Sequence, residues 1–225
     1  MGDTGSEGAS QPIVRHVDLS SCSRAERAAD AVGRQLTRAG YVAHRVGGSV
    51  RDRLLGRLPE EVDVATDATP DEVSALFPRT FRVGARFGVV VVHASNGVDI
   101  EVATFRTEGG YQDGRHPTSV LFSGPAEDAA RRDFTVNALF YDPVKRAVLD
   151  FTGGLADLRR GLVRGIGDPA ARFEEDHLRM LRAVRFASDL GFRLDAATAE
   201  ALRPLASRLA SISAERIREE LTKML

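Results

Sequence analysis

The stretch Val46–Thr66 reads VGGSVRDRLLGRLPEEVDVAT: a glycine pair, an Arg-Asp dipeptide, a short leucine-bearing turn, then two acids set two apart in a valine-rich run. A β-strand alternates its side chains, so Glu61 and Asp63 project from one face while Val62 and Val64 pack on the other. Two carboxylates about 4 Å apart repel by on the order of 4 kcal/mol at an effective dielectric near 20. A cation between them relieves this, and magnesium suits the position because it takes one or two carboxylates together with substrate phosphates. Gly47 and Gly48 have no Cβ, so backbone there can approach a phosphate closely, and SVRDRLLG reads as a helix whose start favours anions, with Arg51 within its first turn. A glycine pair alone equally marks an ordinary turn, and an E-x-D alone a solvated strand face. The two in this order, about a dozen residues apart, are more specific.

Working outward, Ser23–Ala39 has helical spacing of Ala25, Ala28, Ala29, Val32 and Leu36 and ends at Gly40, and Tyr41–Val46 is a short strand. Strand, glycine turn, helix, acidic strand is the order a phosphate-binding α/β site requires. Downstream, Thr69 caps a helix with Pro70 at its first position and Asp71 and Glu72 in its first turn. Two strands follow, Gly88–His93 and Val98–Thr104, around the turn Ser95–Asn96–Gly97. Asp99 and Glu101 share a face of the second, which brings a third carboxylate beside the first two. Thr107–Val120 is polar, glycine-bearing and aperiodic, and reads as a long loop. In Arg131–Leu139, RRDFTVNAL, apolar anchors hold two arginines, an aspartate and an asparagine; the guanidinium fork suits phosphate, and Asp or Asn suits ribose hydroxyls. In Glu174–Phe186, EEDHLRMLRAVRF, Arg179, Arg182 and Arg185 fall within an arc of roughly 120° on a helix, as they also do on any amphipathic surface helix.

The first motif, GGSVRDRLLG…EEVDVAT, resembles that of the class II tRNA nucleotidyltransferase and bacterial poly(A) polymerase family, in the polymerase β-like nucleotidyltransferase superfamily. EVATFR, RRDFTVNAL and EEDHLRMLRAVRF follow in the family's order, over about Gly40 to Leu225. The resemblance implies that Glu61, Asp63 and Glu101 are catalytic and hold two Mg2+ ions, and favours Glu101 over Asp99. It implies that Gly48, Arg51, Arg132, Asp133 and Asn137 bind the nucleotide's phosphates and sugar. Asp176 and Arg179 match the E-D-x-x-R motif that hydrogen-bonds the base edge as a protein template, with Arg182 and Arg185 contacting nucleotide or phosphate. Thr107–Val120 corresponds to a mobile loop, and its DGRHP resembles the tRNA-specific branch. Glu61 departs from the family, which usually has aspartate. Its extra methylene moves the carboxylate by about 1.5 Å, and a shift on that scale can cost about a hundredfold in rate.

The implied fold is α+β: a nucleotidyltransferase head, a small mixed sheet with flanking helices, then an all-α neck. The expected division is a disordered tail at 1–20, a head at 21–154 and a helical neck at 155–225, the last a truncated part of a longer enzyme. The implied activity is template-independent addition of C, A or both from CTP and ATP to the 3′ end of tRNA, with poly(A) polymerase as the alternative and a catalytically weak nucleotide- or RNA-binding relative as the different-class one. A single cysteine, Cys22, excludes an internal disulfide, no cysteine–histidine zinc spacing occurs, and no apolar run reaches a membrane span. A cytoplasmic protein is expected, with no membrane partner. Ser49 and Cys22 have no local histidine, which leaves a covalent intermediate unsupported. The net charge of −1 gives no globally basic surface, and from Leu158 onward thirteen basic residues face ten acidic ones.

Overall fold

The computed structural model describes residues 11–17, 19, 23–82, 88–111 and 117–224. Its strands and helices, in order, are β1 (Ile13–His16), α1 (Arg24–Arg38), β2 (Ala43–Val46), α2 (Gly48–Leu54), β3 (Asp63–Thr66), α3 (Pro70–Leu76), β4 (Thr80–Phe81), β5 (Val89–His93), β6 (Asp99–Thr104), β7 (Arg106–Tyr111), β8 (Pro117–Phe122), α4 (Pro125–Ala130), β9 (Leu139–Asp142), β10 (Ala147–Asp150), α5 (Gly154–Arg160), β11 (Leu162–Val163), α6 (Pro169–Glu175), α7 (Leu178–Leu190), β12 (Arg193–Leu194), α8 (Ala196–Leu205) and α9 (Ala214–Thr222). Eight strands form one mixed sheet in the order β1-β10-β9-β2-β3-β6-β5-β4, in which β3 and β6 run parallel.

Local chemistry sets the helix starts. Ser23 and Glu26 close a capping box on α1, and Thr69 and Glu72 do so on α3 behind Pro70. Alternation along β3 then divides the core. Val62 and Val64 join Ala28, Val32 and Leu36 of α1 with Val90, Val92, Ile100 and Val102, while Ala65 faces Val46, Phe105, Ala129, Ala138 and Phe140. Glu61 and Asp63 therefore belong to the Ala65 side, above α4 and the segment that follows it.

Four expectations change. The tail expected over 1–20 contains β1, which pairs antiparallel with β10 from Ile13↔Asp150 to His16↔Ala147; residues 1–10 lie outside the described ones. The loop expected over Thr107–Val120 is largely the antiparallel pair β7–β8, where Gly109 faces Ser119; a Cβ on Gly109 would sit 2.6 Å from Ser119 Oγ, so the glycine that looked like loop composition is what lets the strands meet. Most of its DGRHP, residues 113–116, lies outside the described ones. The region after 155 is not all-α, because Gly161 and Gly191 end α5 and α7 in the left-handed conformation and turn the chain into the parallel pair β11–β12. Finally, EEDHLRMLRAVRF is not one helix. Asp176 has extended backbone angles, φ −142° and ψ 106°, between α6 and α7. A core of Phe134, Val136, Val163, Phe173, Met180, Ala183 and Phe186 joins the segment after α4 to these helices.

Candidate active site

β2 delivers the chain to Gly47, whose φ of +73° only glycine adopts readily, and whose N–H donates to Leu139 O at 3.1 Å. A Cβ there would meet Arg132 Nη1 at 3.3 Å, so the missing side chain is what lets an arginine from the segment after α4 lie against the turn. Arg51, one turn into α2, pairs with Asp52 and donates from Nη1 to Asn137 Oδ1.

The acids sit beside this turn. The parallel register places Val64 opposite Val102, and one residue earlier along both strands stand Asp63 and Glu101. Asp63 is exposed at the cavity mouth, yet the protein surrounding its carboxylate raises its pKa to about 6: this partial desolvation is the largest cause, Glu101's charge adds to it, Arg132 opposes it, and Glu61 adds a smaller push. Glu61 lies just before β3. Asp99 is engaged by His93, whose Nδ1 lies 2.6 Å from Asp99 Oδ1, which leaves Glu101 as the acid beside Asp63. Among the described residues no three His, Cys, Asp or Glu side chains converge closely enough to hold a metal ion, so the expected closed set of three ligands is not formed. A pair of hard oxygen donors on neighbouring strands, with a third in electrostatic reach, still matches magnesium, which completes its shell with water and substrate phosphate.

A cavity of about 450 Å³ joins these elements. Glu61, Asp63, Gly48 and Arg51 line one side, and Arg132, Asp133, Asn137, Asp176, Arg179 and Arg182 the other. Glu101 opens on an adjoining cavity shared with Glu61 and Asp63, and Arg185 on a third, of about 720 Å³, shared with Gly48, Arg51, Glu61 and Asp63. All twelve residues singled out in the sequence thus border one cavity system.

Their hydrogen bonds assign them different freedom. Asp133 is enclosed: Arg182 Nε and Nη2 donate to its Oδ2 at 2.9 and 2.6 Å, and Phe134 N and Asn137 Nδ2 donate to Oδ1. Burial pushes its carboxyl up, but the Arg182 charge and these hydrogen bonds outweigh that and hold it below the ordinary range. Asp176 accepts from Arg216 of α9 at 2.9 Å and from Leu178 N at 3.0 Å. Arg179 donates to Glu175 at 2.6 Å, and Arg185 to Glu220 at 2.6 Å and Asp189 at 3.2 Å.

Sequence reading missed several supporting side chains. Buried Asp128 of α4 accepts from both Arg131 and Arg132; its spacing three and four residues before them was a usable helical signal. Arg216 and Glu220 come from α9, 40 and 35 residues from their partners, and no local pattern announces them. Phe186, which the sequence reading did not single out, lines two of the three cavities.

A mixed sheet with acids on its central parallel pair, a glycine turn beside them and arginine-bearing helices across one cavity is the architecture of a polymerase β-like nucleotidyltransferase. The chain belongs to the poly(A) polymerase head domain family: that family's model, described as "Poly A polymerase head domain", matches residues 43–164, and one described as "Probable RNA and SrmB- binding site of polymerase A" matches 191–225. A CCA-adding enzyme of Bacillus pumilus is 49% identical over 187 residues, covering 83% of this chain and 46% of that protein, and one of Geobacillus thermodenitrificans is 51% identical over 194, covering 85% and 47%. Among solved structures, the Bacillus stearothermophilus CCA-adding enzyme in complex with CTP superposes with a TM-score of 0.82 at 43% identity, covering 90% of this chain and 49% of the other. The Thermotoga maritima CCA-adding enzyme complexed with tRNA gives 0.76 at 25% identity, covering 95% and 51%. The chain spans about half the length of the curated relatives it matches. Among the described residues no helix is long and apolar enough to cross a membrane.

Proposed function

We propose that this chain is the catalytic part of a template-independent RNA nucleotidyltransferase that adds C, A or both from CTP and ATP to the 3′ end of tRNA, releasing pyrophosphate. The observation that carries the reading is the meeting of Asp63 and Glu101, side by side on parallel strands, with the Gly47–Gly48 turn and the arginines of two further segments around one cavity system. The CTP and tRNA bound by similar solved enzymes support the substrate class. The head at 21–154, the helical unit at 155–225 and a cytoplasmic location belong to the same reading.

In this scheme Gly47 and Gly48 leave room for the triphosphate, and Arg51 and Arg132 offset its charge. Asp133 and Asn137 hold Arg182 and Arg51 in place, so Asp133 acts through an arginine instead of touching the sugar. Asp176 and Arg179 present an acceptor and a donor to the base edge, for which Arg216 and Glu175 yield or share their partners. Asp63 and Glu101, with Glu61 in electrostatic reach, would hold Mg2+, two ions in all, which when bound would lower the pKa of the attacking 3′-hydroxyl and stabilise the departing pyrophosphate. Asp63, whose affinity for a proton is raised, is the acid that gains most from a cation.

Incorporation of CTP and ATP, separately and together, by the full-length protein on tRNA lacking its CCA end is expected to exceed that on an unstructured RNA. Equal use of both RNAs with ATP alone would instead establish the poly(A) polymerase reading. Glu61→Asp addresses the weak-relative alternative: a large gain in turnover identifies glutamate as impairing, and a loss identifies a centre tuned to it.

A further inference from the structure

Arginines from two elements of this cavity system meet at one aromatic ring, that of Phe186. The guanidinium carbons of Arg51, Arg182 and Arg185 lie 5.1, 5.2 and 4.1 Å from the centroid of its ring. Arg51 comes from α2, beside the glycine turn, and the other two from α7, so a single ring gathers cations from both walls. Phe186 is itself fixed, only 6% exposed, by an edge contact with Phe134 at 5.8 Å between centroids, and Phe134 adjoins Asp133, the partner of Arg182.

Three like charges around one point repel, and each has an acidic partner besides: Asp52 for Arg51, Asp133 for Arg182, and Glu220 with Asp189 for Arg185. These four carboxylates already balance the three guanidinium charges, so a further carboxylate at position 186 would leave the cluster more negative. An aromatic face attracts cations through its quadrupole while adding no charge, so it gathers the three guanidiniums without adding negative charge where a triphosphate would bind. We propose that Phe186 is a positioning residue for triphosphate binding, setting Arg51, Arg182 and Arg185 as one unit. This rests on the nucleotidyltransferase reading above and adds to it a side chain that touches neither metal nor reacting atoms.

The test compares Kd for CTP and for CMP, the latter by competition, in the full-length protein with Phe186, with Phe186→Leu and with 3,4,5-trifluorophenylalanine at position 186. The fluorinated ring keeps the shape and weakens the negative face. Expected are a weakening of CTP binding by roughly tenfold for Leu and somewhat less for the fluorinated ring, in line with cation–π strengths, with CMP binding changed less than twofold. If Phe186→Leu fails to fold, the fluorinated protein alone decides. Equal losses for CTP and CMP, or no loss with the fluorinated ring, overturn the proposal by reducing Phe186 to packing. Failure of the unmodified protein to bind CTP at all overturns the nucleotidyltransferase reading itself, a result distinct from both.

Discussion

The acid edge of the sheet and the arginine wall of α7 face each other across one cavity system, yet they treat charge in opposite ways. On α7 each arginine is partnered: Arg179 with Glu175, Arg182 with Asp133, Arg185 with Glu220 and Asp189. At the edge, partial desolvation and the neighbouring acids Glu101 and Glu61 push Asp63 up to about 6 against the opposing pull of Arg132. A partnered guanidinium is preorganised, so it orients a ligand at little further entropic cost. A cluster of carboxylates held together against repulsion stores an affinity for whatever cation arrives with the substrate. On the proposed reading, the contrast gives binding geometry to the helices and reactivity to the strands.

The largest effect should come from breaking the acid edge. Asp63→Ala is expected to lower kcat for nucleotide incorporation on the order of a thousandfold, the scale seen when a preorganised charge is removed from the reacting centre. CTP affinity measured without divalent metal should stay close to that of the unchanged protein. A comparable loss of metal-free affinity would mean that the two regions do not divide the work.

Breaking the wall should act on stability first. Asp133→Ala leaves Arg182 without the oxygen that accepts from both its Nε and Nη2 and removes the acceptor for Phe134 N and Asn137 Nδ2. Removing one partner of a buried pair costs several kcal/mol, but Arg182 retains about a third of its exposure and a contact with Glu220 at 3.6 Å, so a loss of about 2 kcal/mol is expected. Urea denaturation measures it. Glu220→Gln should cost less, about 1 kcal/mol, because Arg185 keeps Asp189 and the Phe186 ring.

The two regions were not equally legible. The acid edge was readable because its chemistry is local: Glu61 and Asp63 are two apart, and the period-two burial of Val62 and Val64 sends both acids to one side. Helices α1 and α3 were readable from Ser23 with Glu26 and Thr69 with Glu72, whose capping boxes close within three residues. The arginine face of α7 was visible, but its distant partners were not, since Asp133 and Glu220 lie 49 and 35 residues from the arginines they meet, and Arg216 lies 40 from Asp176. The break at Asp176 was hidden because nothing in EEDHL interrupts helical propensity; packing of α6 against α8 and of α7 against α9 sets it. β7–β8 was missed because its glycines weaken the alternation by which strands are recognised, although Gly109 is there to admit Ser119.

An effect as small as that of Glu220→Gln sharpens the comparison most. If the acid edge is held together against repulsion, neutralising one member should stabilise the fold, whereas every neutralisation on α7 should weaken it. Asp63 ionises near 3.8 when unfolded and near 6 when folded, so between those values the folded state binds more protons. Stability from this group is therefore greatest below about pH 4, falls as pH rises to about 6, and stays at its lower level above that. Asp63→Asn cannot ionise and escapes the fall. Because the carboxylate opens onto solvent in the cavity, screening reduces the full value of the shift, and about 1 kcal/mol of added stability is expected at pH 8. At pH 4 the substituted and unchanged proteins should melt together. Thermal denaturation at the two pH values, without divalent metal, measures this. Adding Mg2+ at pH 8 should then raise the Tm of the unchanged protein more than that of Asp63→Asn, since only the former presents the charge that the ion relieves.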